Sequence, residues 1–312
     1  MNTHGKKRKI HQGIENLKRS DRRQEKSLAK QAHQVKPDKI LVKELNTKLF
    51  DEYLALNENC LKEICGVLEK KDSPGEKILT VDLLKGTKKR PGARIPEVSL
   101  ITEACKLERW RSVLEIGVGS GISTVSFANT LKNRGDDKTQ FQTIDYSDCV
   151  AINRAITANR QKNIKKLQEI IKHENWDHSD IGTNAWFSVE LKKENKKRFN
   201  VVFIDGDHSR DQTEADWKNV EKCLEEDFIV FFHDLTAHTQ QMAYPLVARY
   251  VFEQIDVDKY EKLILDTPFR LGVVYPKGKR ETELWLEENL RSLEIKIWEA
   301  NPTGPPSSFK GF

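Results

Sequence analysis

Between residues 96 and 276, short apolar runs alternate with stretches long enough for helices. Val113-Leu114-Glu115-Ile116, Phe141-Gln142-Thr143-Ile144, Val201-Val202-Phe203-Ile204 and Phe228-Ile229-Val230-Phe231-Phe232 are each of strand length, and they are rich in residues that suit a pleated, buried surface. Helical patterns at 122–132, 149–170 and 211–225 separate them. Strand and helix in alternation require right-handed crossovers, which predicts an α/β fold with a doubly wound, mostly parallel sheet. Lys262-Leu263-Ile264-Leu265 and Leu271-Gly272-Val273-Val274-Tyr275 stand too close together for a crossover helix, so they predict an antiparallel hairpin at the sheet edge.

The flanks read differently. Residues 1–40 hold twelve Lys/Arg against four Asp/Glu, a net of +8, while the whole chain has 53 against 48, or +5, leaving −3 for residues 41–312. A segment with Lys6-Lys7-Arg8-Lys9 and few apolar residues cannot offset its ordering entropy, so a disordered basic tail is expected. It could bind nucleic acid, and a solvated tail is the plainer and favoured reading. Leu41, Leu45, Leu49, Tyr53, Leu54, Leu61, Ile64 and Leu68 recur at helical spacing, predicting a helical preface or lid over 41–95. A core domain over 96–280 and a C-terminal helix with a flexible tail over 281–312 complete the expected division. No apolar run reaches the roughly 18 residues of a membrane helix. Five cysteines without a CxxC pair fit a reducing compartment, so a cytoplasmic protein with no membrane partner is expected. The sequence carries no sign of an oligomeric state.

The most specific signal is Glu115-Ile116-Gly117-Val118-Gly119-Ser120-Gly121, between the first strand and a helix starting near Ile122. Glycines there permit a tight turn and a close ligand approach, beside the unpaired N–H groups of a helix start. A dinucleotide loop needs G-x-G-x-x-G, whereas Ile122 stands where its third glycine belongs. Glu115 would repel phosphates and favour a ligand carrying cationic groups and hydroxyls. Asp145, 24 residues past Gly121, ends the second strand and faces the same crevice.

At these residues the chain resembles the class I S-adenosylmethionine-dependent methyltransferases. The resemblance implies their Rossmann-like, seven-stranded sheet and a cofactor held by Glu115, Gly117, Gly119, Gly121 and Asp145. Farther on, Phe203-Ile204-Asp205-Gly206-Asp207-His208-Ser209, then Asp216 and Phe232-His233-Asp234, are similar to small-molecule O-methyltransferases of the sugar and natural-product type. That likeness covers about residues 96–276. It implies His208 as base, and Asp205 and Asp234 as groups that orient the acceptor directly or bind Mg2+. His233 falls where another acidic ligand belongs, either as a ligand itself or as a departure that leaves the site free of metal. A capping role for Asp205, Asp207 and His208 on the next helix is the structural alternative. His173 and His178, five apart, do not make an HExxH zinc motif.

The expected function is therefore methyl transfer from S-adenosylmethionine to a hydroxyl oxygen of a small molecule. Two alternatives stay open: RNA or protein as acceptor, guided by the basic tail, and a non-catalytic cofactor-binding protein of the same fold.

Overall fold

The computed structural model describes residues 95–119, 121–135, 138–145, 164–165, 167–169, 171–207, 209–235, 247–267 and 269–302. The basic tail, the helical preface apart from Ile95, and most of 149–170 lie outside them. The described elements are α1 (Ile95–Lys106), β1 (Ser112–Ile116), α2 (Ile122–Asn133), β2 (Gln140–Ile144), β3 (Trp176–Ser179), α3 (Thr183–Glu190) and β4 (Phe199–Ile204). They continue as α4 (Arg210–Glu221), β5 (Leu224–Phe232), α5 (Val247–Glu253), β6 (Tyr260–Leu265), β7 (Leu271–Pro276), α6 (Arg280–Ser292) and β8 (Ile297–Ala300).

The strands form one sheet in the order β3-β2-β1-β4-β5-β7-β6-β8. β1 to β5 pair in parallel, and β7, β6 and β8 extend the sheet antiparallel. Successive strand residues point to opposite faces, and both faces are covered, which explains why the central runs Val201–Ile204 and Phe228–Phe232 are apolar at every position and not at alternate ones. Val113, Val201, Phe203, Ile229 and Phe231 pack on one face under Val98 and Ile101 of α1, Val125 and Phe127 of α2, and Leu286 and Leu290 of α6. Leu114, Val202, Ile204, Val230 and Phe232 pack on the other, under Phe187 of α3, Trp217 of α4, and Val251 and Phe252 of α5.

The sheet has eight strands where seven are expected. Ile297–Ala300 lies inside the stretch read as helix and tail, yet it pairs antiparallel with β6 through Leu263↔Ala300 and Ile264↔Glu299. The short, charge-interrupted Ile297-Trp298-Glu299-Ala300 run carries too little period-2 pattern to announce a strand. The β6–β7 hairpin forms as expected, with β7 on β5 and β8 beyond β6. β5 begins at Leu224, not Phe228, because Phe199 pairs with Leu224 before a register shift admits the acidic Glu225-Glu226-Asp227.

Register positions the site. Ser179, Ile144, Ile116, Ile204 and Phe232 form one row across β3, β2, β1, β4 and β5. The next residue of each strand therefore emerges at the same carboxyl edge, which brings together Asp180, Asp145, Gly117, Asp205 and His233.

Candidate active site

Backbone hydrogen bonds carry the ladders one step past the strands. The Gly117 N–H donates to Ile144 O at 2.8 Å, Asp205 N–H to Ile116 O at 2.8 Å, and His233 N–H to Ile204 O at 3.0 Å. Asp145 N–H donates to Ser179 O at 3.0 Å, and its own carbonyl accepts Gly182 N–H at 3.2 Å. The residues named from sequence thus sit on adjacent strand ends, where open α/β sheets bind ligands.

The glycine turn is built as its composition requires. Gly117 has φ 88°, and a Cβ there would lie 2.0 Å from the Asp205 carbonyl oxygen, so only glycine lets the β1 and β4 ends meet. Gly121, left-handed at φ 80°, precedes the first residue of α2 and has no side chain to cap it. Gly119 faces open space, with no atom within 4 Å of a Cβ built on it. A ligand can approach the backbone there and meet the start of α2.

Glu115 stands behind the turn and not in the crevice. It is fully buried, and its two carboxylate oxygens accept Ser123 Oγ at 2.5 Å and Thr124 Oγ1 at 2.7 Å, both from the first turn of α2. Burial pushes its pKa up to about 8 despite those hydrogen bonds. Glu115 therefore ties β1 to α2 and sets the shape of the loop between them.

At the other end of the row, His233 is surrounded by acids. Its Nδ1 lies 2.9 Å from Asp205 Oδ1 and 3.3 Å from Asp234 Oδ1, and its Nε2 lies 3.1 Å from Glu97 Oε2. Burial alone would lower the ring's pKa, but Asp205, Glu97 and Asp234 outweigh it and hold it well above the ordinary imidazole range. Asp234 adopts φ 58°, a left-handed conformation uncommon for a non-glycine residue and concentrated at functional sites. Asp207 is exposed, and its Oδ1 accepts the Ser209 N–H at 2.8 Å in a local turn ahead of α4, whose N-cap position is Ser209 and not Asp207. Asp216 is buried on α4, accepts Gln212 Nε2 at 2.6 Å, and is pushed up to about 6 by burial. His208 lies outside the described residues.

Asp205, His233 and Asp234 are the group of side chains, among the described residues, whose ligand atoms converge closely enough for a metal ion. Magnesium prefers six oxygen ligands in an octahedron. This cluster offers two carboxylates and an imidazole whose nitrogens both face carboxylate oxygens, so the donor set does not suit that ion.

Two features escaped the sequence reading. Glu97 reaches His233 from a helix 136 positions away, a proximity that no local pattern encodes. Asp180 and Ile181 follow β3, whose four residues are too few to show a period. Ile181 is half exposed and precedes Gly182, whose N–H donates to the Asp145 carbonyl oxygen. Trp176 is a core residue: it is buried against Phe141 and donates from Nε1 to Thr143 Oγ1 at 3.0 Å.

Residues 114–235 match a family model described as a methyltransferase domain. No curated protein sequence matches the chain significantly. Among solved structures, the chain is similar to the O-methyltransferase TomG of Streptomyces achromogenes, involved in tomaymycin synthesis and solved with S-adenosylmethionine. The identity is 15% and the TM-score 0.48, over 73% of this chain and 98% of that one. It is also similar to an O-methyltransferase of Bacillus cereus solved with S-adenosylhomocysteine, at 16% identity and TM-score 0.45 over 72% and 98% of the two chains. The S-adenosylhomocysteine-bound methyltransferase PaMTH1 of Podospora anserina gives 14% and 0.48 over 75% and 97%. The span matched by the family model runs from β1 to Leu235 and holds the glycine turn, Asp145, Asp205, His233 and Asp234. Residues 114–235, the stretch that carries the glycine turn and the acidic strand ends, are thus what this chain has in common with a methyltransferase domain.

Proposed function

We propose that this chain is an S-adenosylmethionine-dependent methyltransferase that moves the methyl group to a hydroxyl oxygen of a small molecule. What carries the reading is the glycine turn: left-handed, open to a ligand at Gly119, and set beside Asp145 within a methyltransferase domain. Gly117, Gly119 and Gly121 let the cofactor approach the backbone, Asp145 accepts hydrogen bonds from its ribose hydroxyls, and Ile181 offers its adenine an apolar surface. Glu115 acts from behind by fixing the turn.

The bound cofactor supplies a methyl group on a positively charged sulfur. The acceptor oxygen bonds to the methyl carbon as the carbon–sulfur bond breaks, its electron pair stays on sulfur, and the hydroxyl proton must leave. Alignment and proton removal are the protein's tasks. His208 is the proposed base, since imidazole is the side chain that most readily takes up a proton near neutral pH. Asp205 and Asp234 orient the acceptor, residues 41–95 cover it, and the protein works in the cytoplasm.

Calorimetry on the full chain tests the cofactor assignment. S-adenosylmethionine and S-adenosylhomocysteine should bind at one site, and nicotinamide dinucleotides should give no heat. The reverse pattern would remove the reading. A screen of hydroxyl compounds with a labelled methyl donor would then identify the acceptor, and His208→Ala should abolish turnover of it.

A further inference from the structure

The metal-dependent enzymes that this chain resembles hold a divalent cation between the acid ending strand four and an acidic pair ending strand five. The first member of that pair is His233 here, and its setting is not that of a ligand. The ring is 2% exposed, with Phe203 edge-on at 5.9 Å and Phe269 tilted against it at 5.3 Å. Nδ1 faces Asp205 Oδ1 at 2.9 Å and Nε2 faces Glu97 Oε2 at 3.1 Å. A ligating histidine donates from one ring nitrogen and keeps the other for the metal. In His233 the direction toward the crevice is filled by Asp205 itself.

Glu97 is fixed in turn. It is fully buried on α1, and its other oxygen accepts the Phe269 N–H at 2.9 Å. A continuous chain of hydrogen bonds thus runs from the Phe269 backbone through Glu97 and His233 to Asp205. Asp205 ends that chain with its side chain still 16% exposed at the crevice.

We infer that Glu97 and His233 are positioning residues standing where related enzymes hold a cation, so that Asp205 is set by protein side chains and the site takes up no divalent metal. The inference rests on the methyl-transfer reading of the same crevice. It assigns Glu97, which no sequence motif marks, to the machinery of the site, acting on Asp205 through the imidazole.

Three measurements on the full chain test it. In an electron paramagnetic resonance titration, equimolar protein should leave the signal of free Mn2+ unchanged. One Mn2+ withdrawn per chain and released again in Asp234→Asn would overturn the inference. In NMR of protein labelled at histidine nitrogens, His233 should give two ring N–H signals protected from exchange, with the Nε2 signal lost in Glu97→Ala. A single protected N–H in the wild type would contradict the bridge between two carboxylates. S-adenosylhomocysteine calorimetry with and without EDTA should give the same affinity, and a loss of affinity in EDTA restored by Mn2+ would count against it. If that nucleoside does not bind at all, the methyl-transfer reading fails, while the manganese and NMR results still decide the role of His233.

Discussion

At the scale of single residues, the glycines of one turn carry different burdens. Gly117 keeps β1 and β4 together, because any Cβ would overlap the Asp205 carbonyl, whereas a Cβ on Gly119 would meet no other atom within 4 Å. Gly117→Ala adds that overlap to the roughly 1–2 kcal/mol of a left-handed alanine, and is expected to lose more than about 4 kcal/mol in urea unfolding or to fail to fold. Gly119→Ala should lose only the conformational 1–2 kcal/mol or so and yet weaken S-adenosylhomocysteine binding at least about tenfold. Unchanged affinity would mean that no ligand lies against that face. Glu115 makes a separate test. Its pKa rises from the ordinary 4.5 to about 8 on folding, so the folded state holds a proton that the unfolded chain has released. Its contribution is fully present below the ordinary value and is lost as pH climbs to about 8, at up to about 1.4 kcal/mol per pH unit. Glu115→Gln cannot ionise, so its melting temperature should match the wild type near pH 5 and exceed it near pH 8. Parallel melting curves would show that Glu115 is ionised throughout.

At the scale of elements, α5 is held in a way that no sequence pattern announces. Lys262 sits in the middle of β6, fully buried, and its Nζ donates to the carbonyls of Phe252, Glu253 and Ile255 at 3.2, 2.9 and 2.7 Å. The first two carbonyls end a helix of 7 residues and the third lies two residues beyond it, and the ammonium supplies a donor to each. Lys262→Met keeps the aliphatic stem but leaves the carbonyls without that donor, and should cost about 2–4 kcal/mol in urea unfolding. A loss below 1 kcal/mol or so would mean that the helix end finds other partners. Lys262 also shows what was legible. Four of the five parallel strands and the hairpin announce themselves, most clearly where a strand buried on both faces is apolar throughout, as in Val201–Ile204 and Phe228–Phe232. β3 and β8, each of 4 residues with charges or imidazoles among them, do not. The strand-end residues Asp145 and Asp205 could be read because the chain enters and leaves each strand at a recognisable point. Glu97 and Lys262 could not, since a buried charge reveals itself only through partners that folding brings from elsewhere.

At the scale of the whole molecule, charge is distributed unevenly: +8 in residues 1–40 and −3 in the remaining chain. This decides how a small-molecule acceptor can be told from a nucleic acid. Lys and Arg side chains on phosphates release counterions, so affinity for a single strand falls with log salt at a slope of about −0.7 per phosphate neutralised. Twelve Lys and Arg side chains in the tail therefore allow a slope no steeper than about −8. Residues 41–312 offer no comparable excess of positive charge, and Asp145, Asp180, Asp205 and Asp234 at the strand ends repel a phosphate backbone. If the acceptor is small and uncharged, turnover should change less than about twofold between 50 and 200 mM salt, and removal of residues 1–40 should leave S-adenosylhomocysteine affinity and turnover intact. Fluorescence anisotropy with labelled single-stranded RNA measures the other side. Binding that is steep in salt, lost with the tail and accompanied by methyl incorporation into the RNA would make nucleic acid the acceptor. Binding without incorporation would leave the tail as an independent anchor on a small-molecule enzyme.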